Sequence, residues 1–258
     1  MVEYGGWYDS SRKGETVSAF HIKGTPLILF NAWDAGTAKV IQSAGAKAIA
    51  TSSWSVAEAQ GYRDGEHIPL SLVEQIIARI TKVVDVPVTV DIEGGYSEDD
   101  GVLAKNVAGL IDLGVIGINF EDRVVQGDGL YPVQRQAQRI AAVRDVANKQ
   151  GVELFINART DVFFGDGDPE KLVGEALVRA KAYEDAGASG FFIPGLTDDA
   201  LIKKISDNVS LPVNVMVMDG LSPAKRLAEL GVARISYGPI PYIKAMNALQ
   251  EEARASEA

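Results

Sequence analysis

The chain has 258 residues, 47% hydrophobic and 23% charged, a balance that suits a soluble globular protein with a sizeable core. Thirty-five acidic residues against 25 basic ones leave a net charge of −10, and no Lys/Arg stripe offsets it, which speaks against a nucleic-acid partner. The absence of cysteine removes disulfides, thiolate metal sites and a Cys nucleophile, and a cytoplasmic location is expected.

The start, MVEYGGWYDSS, lacks the charged and apolar regions of a signal peptide, and no later apolar run reaches the length of a membrane span. Residues 1–12 read as loosely ordered, and SRKGETVSAF (11–20) as a short helix. Eight apolar, β-branched runs then follow: PLILFNA (26–32), AIATSS (48–53), VPVTVDIE (86–93), IGINFED (116–122), ELFINAR (153–159), GFFIPG (190–195), PVNVMV (212–217) and ARISYG (233–238). Between them lie amphipathic stretches such as LVEQIIARITKVV, VLAKNVAGLIDLG, QRQAQRIAAVRDVANKQ and KLVGEALVRAKAYEDAG. Several end on a glycine just before the next strand, at Gly45, Gly114, Gly187 and Gly231, the expected C-terminal cap. Such β–α units at a spacing of roughly 32 residues predict a (β/α)8 TIM barrel spanning 1–258 as one domain, with a flexible tail at about 251–258. An open doubly wound sheet would want a glycine-rich phosphate loop after its first strand, and Ala32-Trp33-Asp34-Ala35-Gly36 is not one.

A barrel carries its chemistry where the strands end. In chain order those ends bring Asn31 and Asp34, Ser52-Ser53-Trp54, Asp91 and Glu93, Glu121, Asn157 and Arg159, Pro194-Gly195, Asn214, and Ser236 with Gly238. Asp91 and Glu93 lie two apart, so their side chains leave the same side of an extended chain, and Gly94-Gly95 then permit a sharp turn. Like charges tolerate one another when a divalent cation neutralises them. An all-oxygen set without His or Cys suits a hard ion, Mg²⁺ or Mn²⁺, with Asp91 as direct ligand and Glu93 and Glu121 in outer roles. The same acids also suit a structural part, capping the following loops or pairing with Arg159. Arg159 offers a planar fork for a carboxylate or phosphonate, and the Ser52-Ser53-Trp54 turn offers hydroxyl and N–H donors for an anionic oxygen. His21 and His67 lie away from strand ends, and no lysine falls on one, so a histidine base and a Schiff-base lysine are not expected.

NAWDAG (31–36), TSSWSVAEAQGYRDGE (51–66), VDIEGGYS (90–97), GINFEDR (117–123) and INARTDVF (156–163) together resemble the isocitrate lyase/phosphoenolpyruvate mutase superfamily, in its compact phosphonomutase-like branch. The resemblance runs from about residue 15 to 250. It implies a Mg²⁺-dependent barrel that binds a 2-oxo acid or related dicarboxylate and stabilises an enolate-like pyruvyl oxyanion. By position, Asp91 would bind the ion directly, while Glu93, Glu121 and Asp64 would hold its water ligands. Ser52, Ser53 and Trp54 would grip the substrate carboxylate and Arg159 its other end; Asn157 and Gly195, read from the strand ends rather than from the resemblance, are further substrate-binding candidates. Lyases of this family carry a Lys-Lys/Arg-Cys-Gly-His motif after the fourth strand, and mutases a Lys and an Asn. Here the segment reads EDRVVQGDGLYPVQRQ and has none of these, and the mutase histidine after the sixth strand is replaced by Ile193-Pro194-Gly195. The loop offers Arg123, Gln126, Asp128 and Tyr131 instead. Asp128 and Tyr131 are therefore the candidate proton carriers, beside Arg159 and Glu121 as catalytic residues.

The expected activity is C–C cleavage or decarboxylation of a small oxaloacetate- or methylisocitrate-like acid. C–P chemistry and a non-catalytic 2-oxo acid binding protein are the alternatives. The resemblance further implies a homo-oligomer, dimer or tetramer, and no membrane or nucleic-acid partner is expected.

Overall fold

A computed structural model describes residues 17–256. Its strands are β1 (Leu27–Leu29), β2 (Asn31–Ala32), β3 (Ile49–Thr51), β4 (Val88–Asp91), β5 (Gly117–Glu121), β6 (Phe155–Arg159), β7 (Gly190–Phe192), β8 (Val213–Met216) and β9 (Arg234–Ser236). All of their pairings are parallel. The predicted segment 26–32 appears as two pieces that pair with opposite neighbours, β1 with β9 and β2 with β3. That divided first strand closes the sheet, giving the (β/α)8 barrel expected from the sequence.

The helices α1 (Ala35–Ser43), α2 (Ser53–Ala59), α3 (Leu70–Val83), α4 (Asp100–Asp112), α5 (Val133–Lys149), α6 (Pro169–Asp185), α7 (Asp199–Asn208), α8 (Ala224–Glu229) and α9 (Ile240–Ser256) wrap the barrel. In α3 the buried residues are Val73, Ile76, Ile77 and Ile80, the one-face spacing that seats a helix on a sheet. Burying each such side chain contributes about 1.5–3 kcal/mol. Side chains start several of these helices: Asp34 forms a capping box with Thr37, and Asp99, Asp168 and Asp198 accept first-turn N–H groups. Gly45, Gly114, Gly187 and Gly231 all have positive φ where helices end, as their spacing predicts.

Residues 17–20 are helical, and the remainder of the helix expected at 11–20 lies outside the described residues, as do residues 1–12. At the other end α9 continues through residues 251–256, where the sequence suggested a loose tail. Among the described residues no helix is long and apolar enough to cross a membrane.

Inward positions change character along each strand. On β6 they run Phe155, Asn157, Arg159, and on β5 Gly117, Asn119, Glu121, so the interior passes from apolar through amide to charged. Leu27, Leu29, Ala48 and Ala50 fill the apolar part. His21 stacks on Phe155 at 3.9 Å and shares a 2.8 Å hydrogen bond with the Val17 carbonyl, which makes it a plug rather than a reactive group.

Burial, reinforced by the nearby Arg234 charge, lowers the His21 pKa to about 3 from an ordinary 6.5. Between those values the unfolded chain binds a proton that the folded barrel refuses, so the stability present above pH 6.5 is lost as pH falls toward 3. His21→Leu should flatten the fall in denaturation midpoint across that window. An unchanged slope in the variant would place the acid sensitivity elsewhere.

Candidate active site

Strand β4 ends in Asp91, whose carboxylate accepts from the Ser53 hydroxyl at 3.1 Å and the Ser53 N–H at 3.4 Å. Its own N–H donates to Thr51 Oγ1 at 3.0 Å. Ser52 is buried and caps α2, so the two serines of the predicted turn serve different masters. Trp54 stands at the rim, in edge contact with Tyr242, which also meets Trp33.

Past Asp91 the backbone adopts conformations that L-residues avoid. Glu93 (φ 50°), Tyr96 (φ 62°) and Glu66 (φ 58°) are the non-glycine residues at positive φ among the described residues, and all three belong to one arrangement. The Glu66 N–H donates to both oxygens of the Glu93 carboxylate, at 3.1 and 3.0 Å, and the Glu66 carboxylate accepts the Tyr96 N–H at 2.8 Å. Gly95 completes the turn against Leu103, where any Cβ would collide.

Glu121 and Arg159 are neighbours across β5 and β6, and they pair at 2.9 Å. The remaining edge of the Arg159 fork is held by Asp161, Nε to Oδ1 at 2.6 Å and Nη2 to Oδ2 at 2.9 Å. Asp161, two residues along in ARTD, is a site residue that the sequence reading missed. Strand alternation alone would have put it on Arg159's side of the chain.

The electrostatics show how closely the acids approach. Burial, with Asp64 and Asp91 acting in the same direction, pushes the Glu93 carboxyl up to about 8. Glu121 is raised by burial, with Arg159 opposing and Asp161, Asp91 and Glu93 adding to the rise. Asp64 is exposed as a residue, yet its carboxyl end is desolvated and faces Asp91, so its pKa is raised as well. Burial disfavours the Arg159 charge, but Glu121 and Asp161 outweigh it and hold the guanidinium protonated.

Below the acids lies a polar layer. Asn119 Oδ1 accepts from Asn157 at 2.9 Å and from Arg234 at 3.0 Å, and Arg234 also donates to Ser236 at 3.3 Å. Arg234 is buried, and one of its terminal nitrogens, like Asn157 Oδ1, has no hydrogen-bond partner among the described residues. Asn31 and Asp34 do structural work: Asn31 bridges β3 to the β9 end, and Asp34 caps α1. Gly195 (φ 89°) packs against Phe163, where a side chain would press on the backbone.

The loop residues stand apart. Tyr131 donates its hydroxyl to Glu98 at 3.2 Å, and Asp128 is exposed with no side-chain partner among the described residues. Neither touches the acids, so a catalytic part for either requires the 123–131 loop to move over the mouth. The loop base is fixed by fully buried Asp122, which accepts from Tyr183 (2.7 Å), Arg179 (3.1 Å) and the Asp161 N–H (3.0 Å).

The donor set fits a hard cation that keeps its water. Among the described residues no three acids close on one point as a ready-made cage. One direct carboxylate with others reaching bound waters is the arrangement Mg²⁺ prefers, and the crowding of Asp64, Glu93 and Glu121 around Asp91 is what such an ion would relieve.

Known proteins match this barrel along its length. A candidate phosphonomutase from Burkholderia cenocepacia J2315 superposes with a TM-score of 0.92 at 47% identity, covering 95% of this chain and 100% of that one. The 2-methylisocitrate lyase of Escherichia coli K12 is 28% identical over 249 residues, 92% of this chain and 82% of its own. A phosphonopyruvate hydrolase in complex with oxalate and Mg²⁺ shares the fold, with a TM-score of 0.82 at 20% identity over 95% of this chain and 87% of that one. The sequence pattern of phosphoenolpyruvate phosphomutase covers residues 17–256. With that match along nearly its whole length, the chain belongs to the phosphoenolpyruvate phosphomutase family, within the isocitrate lyase/phosphoenolpyruvate mutase superfamily.

Proposed function

We propose that the protein is a Mg²⁺-dependent lyase acting on a small 2-oxo or 2-hydroxy di- or tricarboxylate, oxaloacetate-like, by C–C cleavage or decarboxylation. The observation that carries it is the convergence of Asp64, Asp91, Glu93 and Glu121 beside Arg159, with the Asp91 charge raising the pKa values of the other three acids. When bound, Mg²⁺ would supply a fixed positive charge beside the oxygen that gains electrons as the bond breaks. Asp91 would hold the ion, oriented by Ser53, while Asp64, Glu93 and Glu121 would receive its waters. Arg159 enters the binding step paired on both edges, so a substrate carboxylate gains its fork only by exchange with Asp161 or Glu121.

The second reading is C–P chemistry, favoured by the phosphomutase pattern and by the Burkholderia neighbour's description. Pyruvate released from dicarboxylates supports cleavage of C–C bonds, whereas ³¹P NMR changes with phosphonopyruvate support the mutase or hydrolase reading. Thermal stabilisation by 2-oxo acids with no product supports a binding protein. We further infer a homo-oligomer joined through α9, which buries only Pro241 and leaves Ile243 and Leu249 exposed.

Chelation should abolish both turnover and oxalate binding, and Asp91→Ala should remove Mg²⁺ binding in calorimetry without unfolding the barrel. Unchanged metal affinity in that variant would sink the ligand assignment. Arg159→Lys keeps the charge but loses the fork, so oxalate binding should weaken by roughly 1.5–3 kcal/mol. Oxalate bound as tightly as by the parent would make Arg159 purely structural.

A further inference from the structure

Beside the acids, an open cleft of about 790 Å³ runs outward between the 123–131 loop, the turn at 162–165 and α6. It meets the site at Arg159 and Asp161, which belong to both. Pockets of roughly 300–1,000 Å³ bury drug-sized ligands, so this one greatly exceeds the needs of a four-carbon acid.

Its lining is sorted by chemistry. Leu130, Phe164 and Leu172 give it apolar walls, and Phe164, whose ring lies under the Arg159 guanidinium at 5.9 Å, is left 52% exposed. Of the three arginines that line it, Arg159 is neutralised by Asp161 and Glu121, and Arg179 by Asp122 and Glu175. Arg123 has no side-chain hydrogen bond or ion pair among the described residues. In a chain of net charge −10, an unpaired guanidinium at the edge of such a cleft is an uncommitted anion receptor.

We propose that this cleft receives the distal arm of the substrate and that Arg123 binds a carboxylate at the end of that arm. The preferred substrate is then a 2-oxo or 2-hydroxy acid longer than oxaloacetate, with a short methylene stem lying against Phe164 and Leu172. The inference rests on the proposed function, because the head of that acid must sit at Asp91 and Arg159.

Calorimetry with Mg²⁺ present, using oxalate as a head-only ligand and oxaloacetate, 2-oxoglutarate and 2-oxoadipate as a series of growing stem, tests it without requiring turnover. In the parent, affinity should rise along the series by about tenfold or more, the scale of a charge-assisted hydrogen bond. Arg123→Gln should erase that rise, and Leu172→Trp, which fills the cleft, should reverse it; both should leave oxalate binding unchanged. Oxalate that fails to bind the parent overturns the head-group reading and this proposal with it. Oxalate that binds normally overturns this proposal alone if affinity stays flat along the series, or if Arg123→Gln keeps the rise.

Discussion

Everything at the mouth of this barrel depends on keeping like charges close in a place that disfavours charge. Two like charges about 4 Å apart repel by about 4 kcal/mol at a dielectric constant of about 20. The barrel brings Asp64, Asp91, Glu93, Glu121 and Asp161 to one mouth, and answers them with Arg159 among them and Arg234 below. Arg159 is shared between two carboxylates, and Arg234, pushed down to about 9 by burial with Asp91 opposing, has no carboxylate in direct contact among the described residues. The crowd is therefore only partly compensated by the protein itself. A site left in electrostatic deficit is one that a cation can complete.

Holding the deficit in place requires strain and support together. Residues forced into left-handed backbone conformations cost of order 1–3 kcal/mol each, and three of them, Glu93 itself, Glu66 and Tyr96, make up the turn that holds the Glu93 carboxylate. Helix α5 provides the counterforce. Its buried Gln136 donates to the Glu121 carbonyl, and its buried Arg139 donates to the carbonyls of Gly94 and Ser97 while lying over the Phe120 and Tyr131 rings. Two polar side chains on the inner face of a helix would weaken an ordinary core. Here they clamp the turn that aims Glu93.

The barrel was legible because its signals are local and repeated: β-branched runs, glycine caps and one-faced helices recur at a steady interval. The acids were legible for the same reason, since strand alternation places Asp91, Glu121 and Arg159 on the inward face. What stayed hidden depends on distance in sequence or on backbone twist. Asp122 finds Tyr183 and Arg179 through tertiary packing, and Glu66 reaches Glu93 through its main chain, which no side-chain pattern records. Arg234 lies in the run ARISYG with no motif around it, and only the register with Asn214 places it inside the barrel. The loop candidates Asp128 and Tyr131 came from a departure in motif, and motif says nothing about which way a hydroxyl points.

The divided first strand has a consequence for synthesis. Asn31 accepts N–H groups from Tyr237 and Gly238, residues 206 and 207 positions further on. As the chain leaves the ribosome, β1 emerges early and its closing partner β9 nearly last. Throughout elongation the nascent sheet carries an open edge, and the longest loop in the molecule must close before that edge is paired. Folding to the native barrel is thus completed only near the end of translation, and truncation before Arg234 leaves a sheet with β1 unpaired rather than a smaller barrel.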